Sequence, residues 1–194
     1  MRARIAWIVT LSSLAAPSFA ADEAFLRDAA QGGLAEIALG QLAAAKGSTE
    51  EVKAFGRQMV DDHQAANAKL AAAAAKSGVA LPTDAGGDAR ATQQQLQSLS
   101  GSAFDTAYTD SQAKAHTKMV ELLKNEIANG TDAAAKAWAR ETLPTVERHV
   151  EMIGGLHEKP GEHSLEHALG TPGPADAPSP GIRNIPEERS SGDD

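Results

Sequence analysis

The chain has 194 residues, with 18 Lys+Arg against 26 Asp+Glu and no cysteine. An acidic chain without a basic stripe argues against a nucleic-acid partner, and the lack of cysteine excludes disulfide scaffolds and thiolate chemistry. Alanine is abundant, aromatics make up 4% of the chain, and no run of alternating β-branched residues occurs, so an all-α fold is expected.

Residues 1–20 read as a cleavable secretory signal. Arg2 and Arg4 precede the short apolar run IAWIVTLSSLAA, and Ser18 and Ala20 occupy the small-residue positions of a cleavage site. Cleavage after Ala20 would send the mature chain to a bacterial periplasm, with no transmembrane segment left in it.

A first helix is expected from about Asp22, read as its cap, to Lys46. Phe25, Ala29, Gly33, Ile37 and Gly40 mark one face. KGSTEE forms a tight joint. Ser48 or Thr49 caps a second helix, which has Glu50 and Glu51 in its first turn and stops at Gly78. A joint so short makes the two helices antiparallel neighbours. A long connection, 79–101, contains Pro82, the pair Gly86 and Gly87, and a short helical piece around ATQQQLQSL. SAFD (102–105) reads as a capping box opening the third helix, which runs to about Asn129. After NGT, Thr131 is expected to cap a fourth helix running to about His157, kinked or restarted at Pro144. The two halves show no defensible sequence repeat.

The reading is therefore three segments: signal 1–20, a four-helix bundle over 21–158, and an acidic Pro/Gly-rich tail over 159–194 expected to be disordered. Two antiparallel hairpins joined by one long connection suit the ferritin-like order; an up-down-up-down order is equally compatible with the length of the link.

Each bundle helix carries one ionisable side chain on or beside its apolar face: Glu36, His63, His116 and His149. Rise per residue places all four near mid-bundle, where they can converge. Three imidazoles and a carboxylate form an acceptable shell for a divalent ion such as zinc, iron or manganese, with Tyr108 and Gln112 behind it. The alternative is a metal-free network in which the same residues satisfy one another. HSLEH (163–167) spells a zinc-peptidase motif but lacks the helix that motif requires. No phosphate loop or activated nucleophile is present, so the reading favours a non-enzymatic protein.

The runs FLRDAAQGGLAEIALGQLA, VKAFGRQMVDDHQAANAKL, FDTAYTDSQAKAHTKMVELL and GTDAAAKAWARETLPTVERHVEMI resemble the exported bacterial domain-of-unknown-function family 4142 over about residues 22–157. The resemblance implies a ferritin-like bundle in the cell envelope, where members are sometimes labelled outer-membrane proteins, and supplies no activity. Outer-membrane association and a homo-oligomer are both compatible with it. Ferritin-like di-metal proteins carry Glu-x-x-His on two helices. Here those stretches read VDDH (60–63) and VERH (146–149), keeping both histidines and replacing both glutamates by valine. Asp62 and Glu147 adjoin the histidines but point elsewhere on an ideal helix. Two functions follow from the sequence: an exported bundle with a stress or interaction role, or a metal-binding bundle with a mononuclear or degenerate di-metal site.

Overall fold

A computed structural model describes residues 17–158. The expected tail, with HSLEH, and residues 1–16 of the expected signal lie outside the described residues. The described chain is an all-α bundle: α1 (Pro17–Lys46), α2 (Glu50–Ser77), α3 (Gly86–Gln97), α4 (Gly101–Asn129) and α5 (Ala133–Glu158). Among the described residues no helix is long and apolar enough to cross a membrane.

Helix boundaries follow local chemistry where one residue decides them. Thr49 caps α2, its hydroxyl accepting from Val52 N, and Gly78 ends it at φ 68°, a conformation that glycine adopts without strain. Three expected caps are placed differently. Helix α1 begins before Asp22, at Pro17, because the Ala-rich run through Ala24 stays helical. The N-cap of α4 is Ser100 and makes no side-chain cap bond, so SAFD is not a capping box. Asp132, not Thr131, caps α5, accepting from Ala135 N at 2.7 Å. Helix α5 is also assigned continuously through Pro144, without a restart.

The freed carboxylates instead tie the two hairpins together. Asp22 accepts from Thr131 N (2.9 Å), Thr131 Oγ1 (2.5 Å) and Asp132 N (3.0 Å). Asp105 accepts from Ser48 N (2.9 Å), Ser48 Oγ (2.5 Å) and Thr49 N (3.2 Å). Adding 83 to Asp22, Ser48 and Thr49 gives Asp105, Thr131 and Asp132. Each hairpin thus grips the turn of the other by the same three bonds, a structural repeat that the sequence comparison did not reveal. Burial works to raise the Asp22 pKa, but the Thr131 and Asp132 bonds outweigh it and hold the carboxyl below its usual range.

These clasps fix the helix directions. The start of α1 lies at the α4–α5 turn, and the start of α4 lies at the α1–α2 turn. Helices α2 and α4 therefore run the same way, which the link carrying α3 makes feasible. Helix α1 packs on α2 and α4, and α5 packs on α2 and α4. At the α1–α2 seam, a Cβ on Gly56 would lie 2.7 Å from Gly40 O and 2.7 Å from Ala44 N, so glycine there permits the close approach.

The apolar core falls into two clusters. One contains Phe25, Leu26, Leu70, Leu123, Trp138 and Val146. The other contains Leu39, Phe55, Met59, Phe104, Tyr108 and Ile153. On every bundle helix the ionisable inward residue lies between a member of one cluster and a member of the other, forming a polar layer across the middle.

Candidate metal centre

His63 follows Met59 by one turn on α2, His116 follows Gln112 on α4, and His149 precedes Ile153 on α5. The apolar stripes that drive helix packing therefore carry three imidazoles inward. All three histidines are buried. Their ring centroids are 5.8 Å (His63–His116), 5.6 Å (His63–His149) and 5.3 Å (His116–His149) apart. One ring nitrogen from each lies within 4.8 Å of those of the other two, the only such group of potential ligands among the described residues.

Hydrogen bonds to two of the rings determine which of their nitrogens remain free. His116 Nδ1 lies 3.0 Å from the Gln112 carbonyl oxygen, which only accepts, so Nδ1 carries the proton and Nε2 keeps its lone pair. His149 Nε2 lies 2.8 Å from Asp62 Oδ2 and donates to the carboxylate, leaving Nδ1 with the lone pair. His63 Nε2, His116 Nε2 and His149 Nδ1 are all buried and have no hydrogen-bond partner. A backbone carbonyl and a carboxylate behind ligating imidazoles are what metal centres use to set tautomer and ring orientation.

Electrostatics keeps these rings neutral. Burial, reinforced by the other two histidines, holds the His63 pKa down to about 3, with Asp62 working weakly in the opposite direction. Burial and His149 bring His116 to about 4, against the pull of the Gln112 carbonyl. Burial also lowers His149, despite Asp62. Neutral imidazole is the metal-binding form.

The other expected site residues are buried nearby without joining the trio. Glu36 is buried on α1 outside the histidine group; burial raises its pKa to about 7, with Gln112 working the other way. Tyr108 and Gln112 are fully buried on α4 in the two turns before His116. Burial, and then the charge of Glu36, raises the Tyr108 pKa. Asp62 corrects the helical-wheel expectation. Its side chain lies at the α2–α5 seam, 23% exposed, and reaches His149 on the neighbouring helix. Burial works upward on its carboxyl, but Gln58, His149 and Arg148 outweigh it and hold the pKa low. Glu147 does point away, pairing with Lys124 at 2.8 Å.

A ferritin-type pair of ions does not fit these residues. Val146 is buried in an apolar cluster, Val60 contributes only a hydrocarbon, and no carboxylate joins the histidine group to bridge two ions. The donor set suits one borderline ion, for which nitrogen ligands are favoured.

The geometry defines a helical bundle with a buried three-histidine cluster. The model of the family described as Domain of unknown function (DUF4142) matches residues 10–156, and the chain belongs to that family. No curated protein matches the chain, and no solved structure matches it.

Proposed function

We propose that this is an exported cell-envelope protein whose ferritin-like bundle binds one divalent transition ion, zinc being the best match to the donors, without performing catalysis itself. The observation that carries this reading is the set of three buried, unpartnered ring nitrogens, His63 Nε2, His116 Nε2 and His149 Nδ1, at one level of the core. A metal-free polar network explains the Asp62 and Gln112 bonds but leaves all three atoms unsatisfied, each at a cost of about 1–3 kcal/mol. The signal-like segment supports export, and the single crossover between parallel α2 and α4 supports the ferritin-like order. In a tetrahedral zinc site, bonds of about 2.0–2.1 Å put nitrogens roughly 3.3 Å apart. Binding therefore draws the three rings inward from a spread of up to 4.8 Å.

The test is elemental analysis of protein purified without a histidine tag, equilibrated with zinc and desalted. One ion per chain, lost in His63→Ala and His149→Ala, is the expected result. Folded wild-type protein that retains no metal, and whose melting temperature zinc does not change, would overturn the reading.

A further inference from the structure

The two clasps differ in one buried residue. Subtracting 83 from Glu126 and Gly130 gives Ala43 and Gly47. The helix ends match as well: Gly130 N donates to Glu126 O at 2.9 Å, and Gly47 N donates to Ala43 O at 2.8 Å. Ala43 contributes only a buried methyl, whereas Glu126 brings a carboxyl to the equivalent place. Glu126 is 4% exposed, and its Oε1 is buried without a hydrogen-bond partner. A buried oxygen that no donor reaches is tolerated far better on a neutral carboxyl than on a carboxylate. A Cβ on Gly130 would collide with that oxygen, so the carboxyl lies over the turn that Asp22 grips. Glu126 and Asp22 are within hydrogen-bonding reach of each other. Two carboxyls in contact can share one proton; when both are ionised they repel. The other charged groups facing Glu126 are Asp132 in the turn and Lys136 on α5, whose Nζ donates to Gly130 O at 2.9 Å. Glu23, the next acid on α1, is paired with Arg27 instead.

We infer that the Asp22–Glu126 pair is a proton-operated latch: a proton held between the two carboxyls closes the start of α1 on the α4–α5 turn, and its loss loosens that end of the bundle. The Asp105 clasp makes the same three bonds with Ala43 behind it and is the pH-insensitive counterpart. The inference does not depend on metal binding. Burial first, and then Asp22, raise the Glu126 pKa from its ordinary 4.5 to about 7, against the pull of Lys136. Below that pH the folded chain holds the proton and the clasp is complete. Above it, a closed clasp keeps two carboxylates in contact, and opening returns Glu126 to its ordinary value. Linkage between those two values makes the opening equilibrium rise about tenfold from pH 6 to pH 8. Cutting after Ala20 would leave an α-ammonium beside Asp22 and move the transition to lower pH, with the same contrast between the clasps.

The test is amide hydrogen exchange in the metal-free full chain, read by NMR at pH 6 and pH 8. Thr131 N and Asp132 N donate to Asp22, and Ser48 N and Thr49 N donate to Asp105, so four amides report the two clasps separately. After correction for intrinsic rates, protection at Thr131 and Asp132 should fall about tenfold between the two pH values, with Ser48 and Thr49 unchanged. Glu126→Gln keeps side-chain volume and carries an amide that can donate to Asp22 at either pH, so it should abolish the difference. Glu126→Ala copies Ala43 and should abolish it too; circular dichroism checks that both variants are folded. No fall at Thr131 and Asp132, or an equal fall at all four amides, would overturn the inference. A fall that persists in both variants would place the pH response elsewhere and overturn it as well. A carbon-13 titration of the wild-type Glu126 carboxyl, which needs no variant, should be centred well above 4.5; a midpoint at 4.5 would refute the shared proton directly.

Discussion

Replacing His63 by leucine should stabilise the metal-free protein. The ring is buried between Met59 and Leu70, and its Nε2 has no partner. Leucine has similar bulk, belongs on the stripe and carries no polar atom. Removing an unsatisfied buried group recovers about 1–3 kcal/mol, and for a domain of this size each kcal/mol raises Tm by about 2–4 °C. In a chelator, His63→Leu should therefore melt about 3–10 °C above wild type. Zinc at one hundred times its Kd adds about 2.7 kcal/mol to a protein that binds it, so wild type should gain about 5–10 °C and the variant nothing. The assay is a pair of thermal melts, with chelator and with zinc, followed through the fluorescence of Trp138, whose indole donates to Ala66 O across the α2–α5 interface. A variant that melts below wild type in chelator and still responds to zinc would refute the reasoning. It would mean that His63 is a satisfied structural residue and that any ion binds elsewhere.

Asp62→Asn removes the carboxylate that orients His149 while leaving the core intact; zinc affinity should fall about 10–100-fold with little change in Tm in chelator, as measured by competition against a chromogenic chelator. The pH dependence of apo stability should have two regimes. The depressed His63 and His116 pKa values mean that the unfolded chain takes up protons first as pH falls below about 6.5, so stability is lost from there toward pH 3. Glu36 and Glu126, both raised to about 7, bind protons in the folded state and work in the opposite direction between about 4.5 and 7; for Glu126 the cause is burial first and then its carboxyl neighbour Asp22. Urea titrations should thus give a shallow profile from pH 4.5 to 6.5 and a steep fall below it, and Glu36→Gln should stabilise at pH 8 but not at pH 4. Asp22→Ala and Asp105→Ala should each cost about 1–2 kcal/mol through loss of turn capping, and the double variant should be additive because the clasps lie at opposite ends of the bundle; urea unfolding of the three variants checks this. Gly56→Ala should destabilise by about 1–3 kcal/mol, since its Cβ meets backbone atoms at 2.7 Å rather than a movable side chain.

Elements decided by local chemistry were legible in the sequence. The Gly78 stop and the inward phase of His63, His116 and His149 depend only on near-neighbour chemistry and the 3.6-residue period. What escaped reading is tertiary. An ideal wheel turns Asp62 away from the axis of its own helix, but a residue on that flank lies at a seam where a neighbouring helix presents His149. Asp22 and Asp105 have the composition of helix caps, so a local reading assigned them to their own helices; their partners lie 109 and 57 residues away. The signal in retrospect is the common spacing in the two halves, which joins Asp22 to Asp105 and GST to GTD under a single offset. The missing carboxylates at Val60 and Val146 are legible too, and the sequence alone argues through them against a two-ion centre.

X-ray absorption at the zinc edge tests the central claim most directly, using the tag-free chain loaded with one equivalent of zinc. The expected coordination sphere contains three imidazole nitrogens at about 2.0–2.1 Å, reduced in number in His116→Leu. A first shell of oxygen alone, or an imidazole count unchanged in that variant, would contradict it.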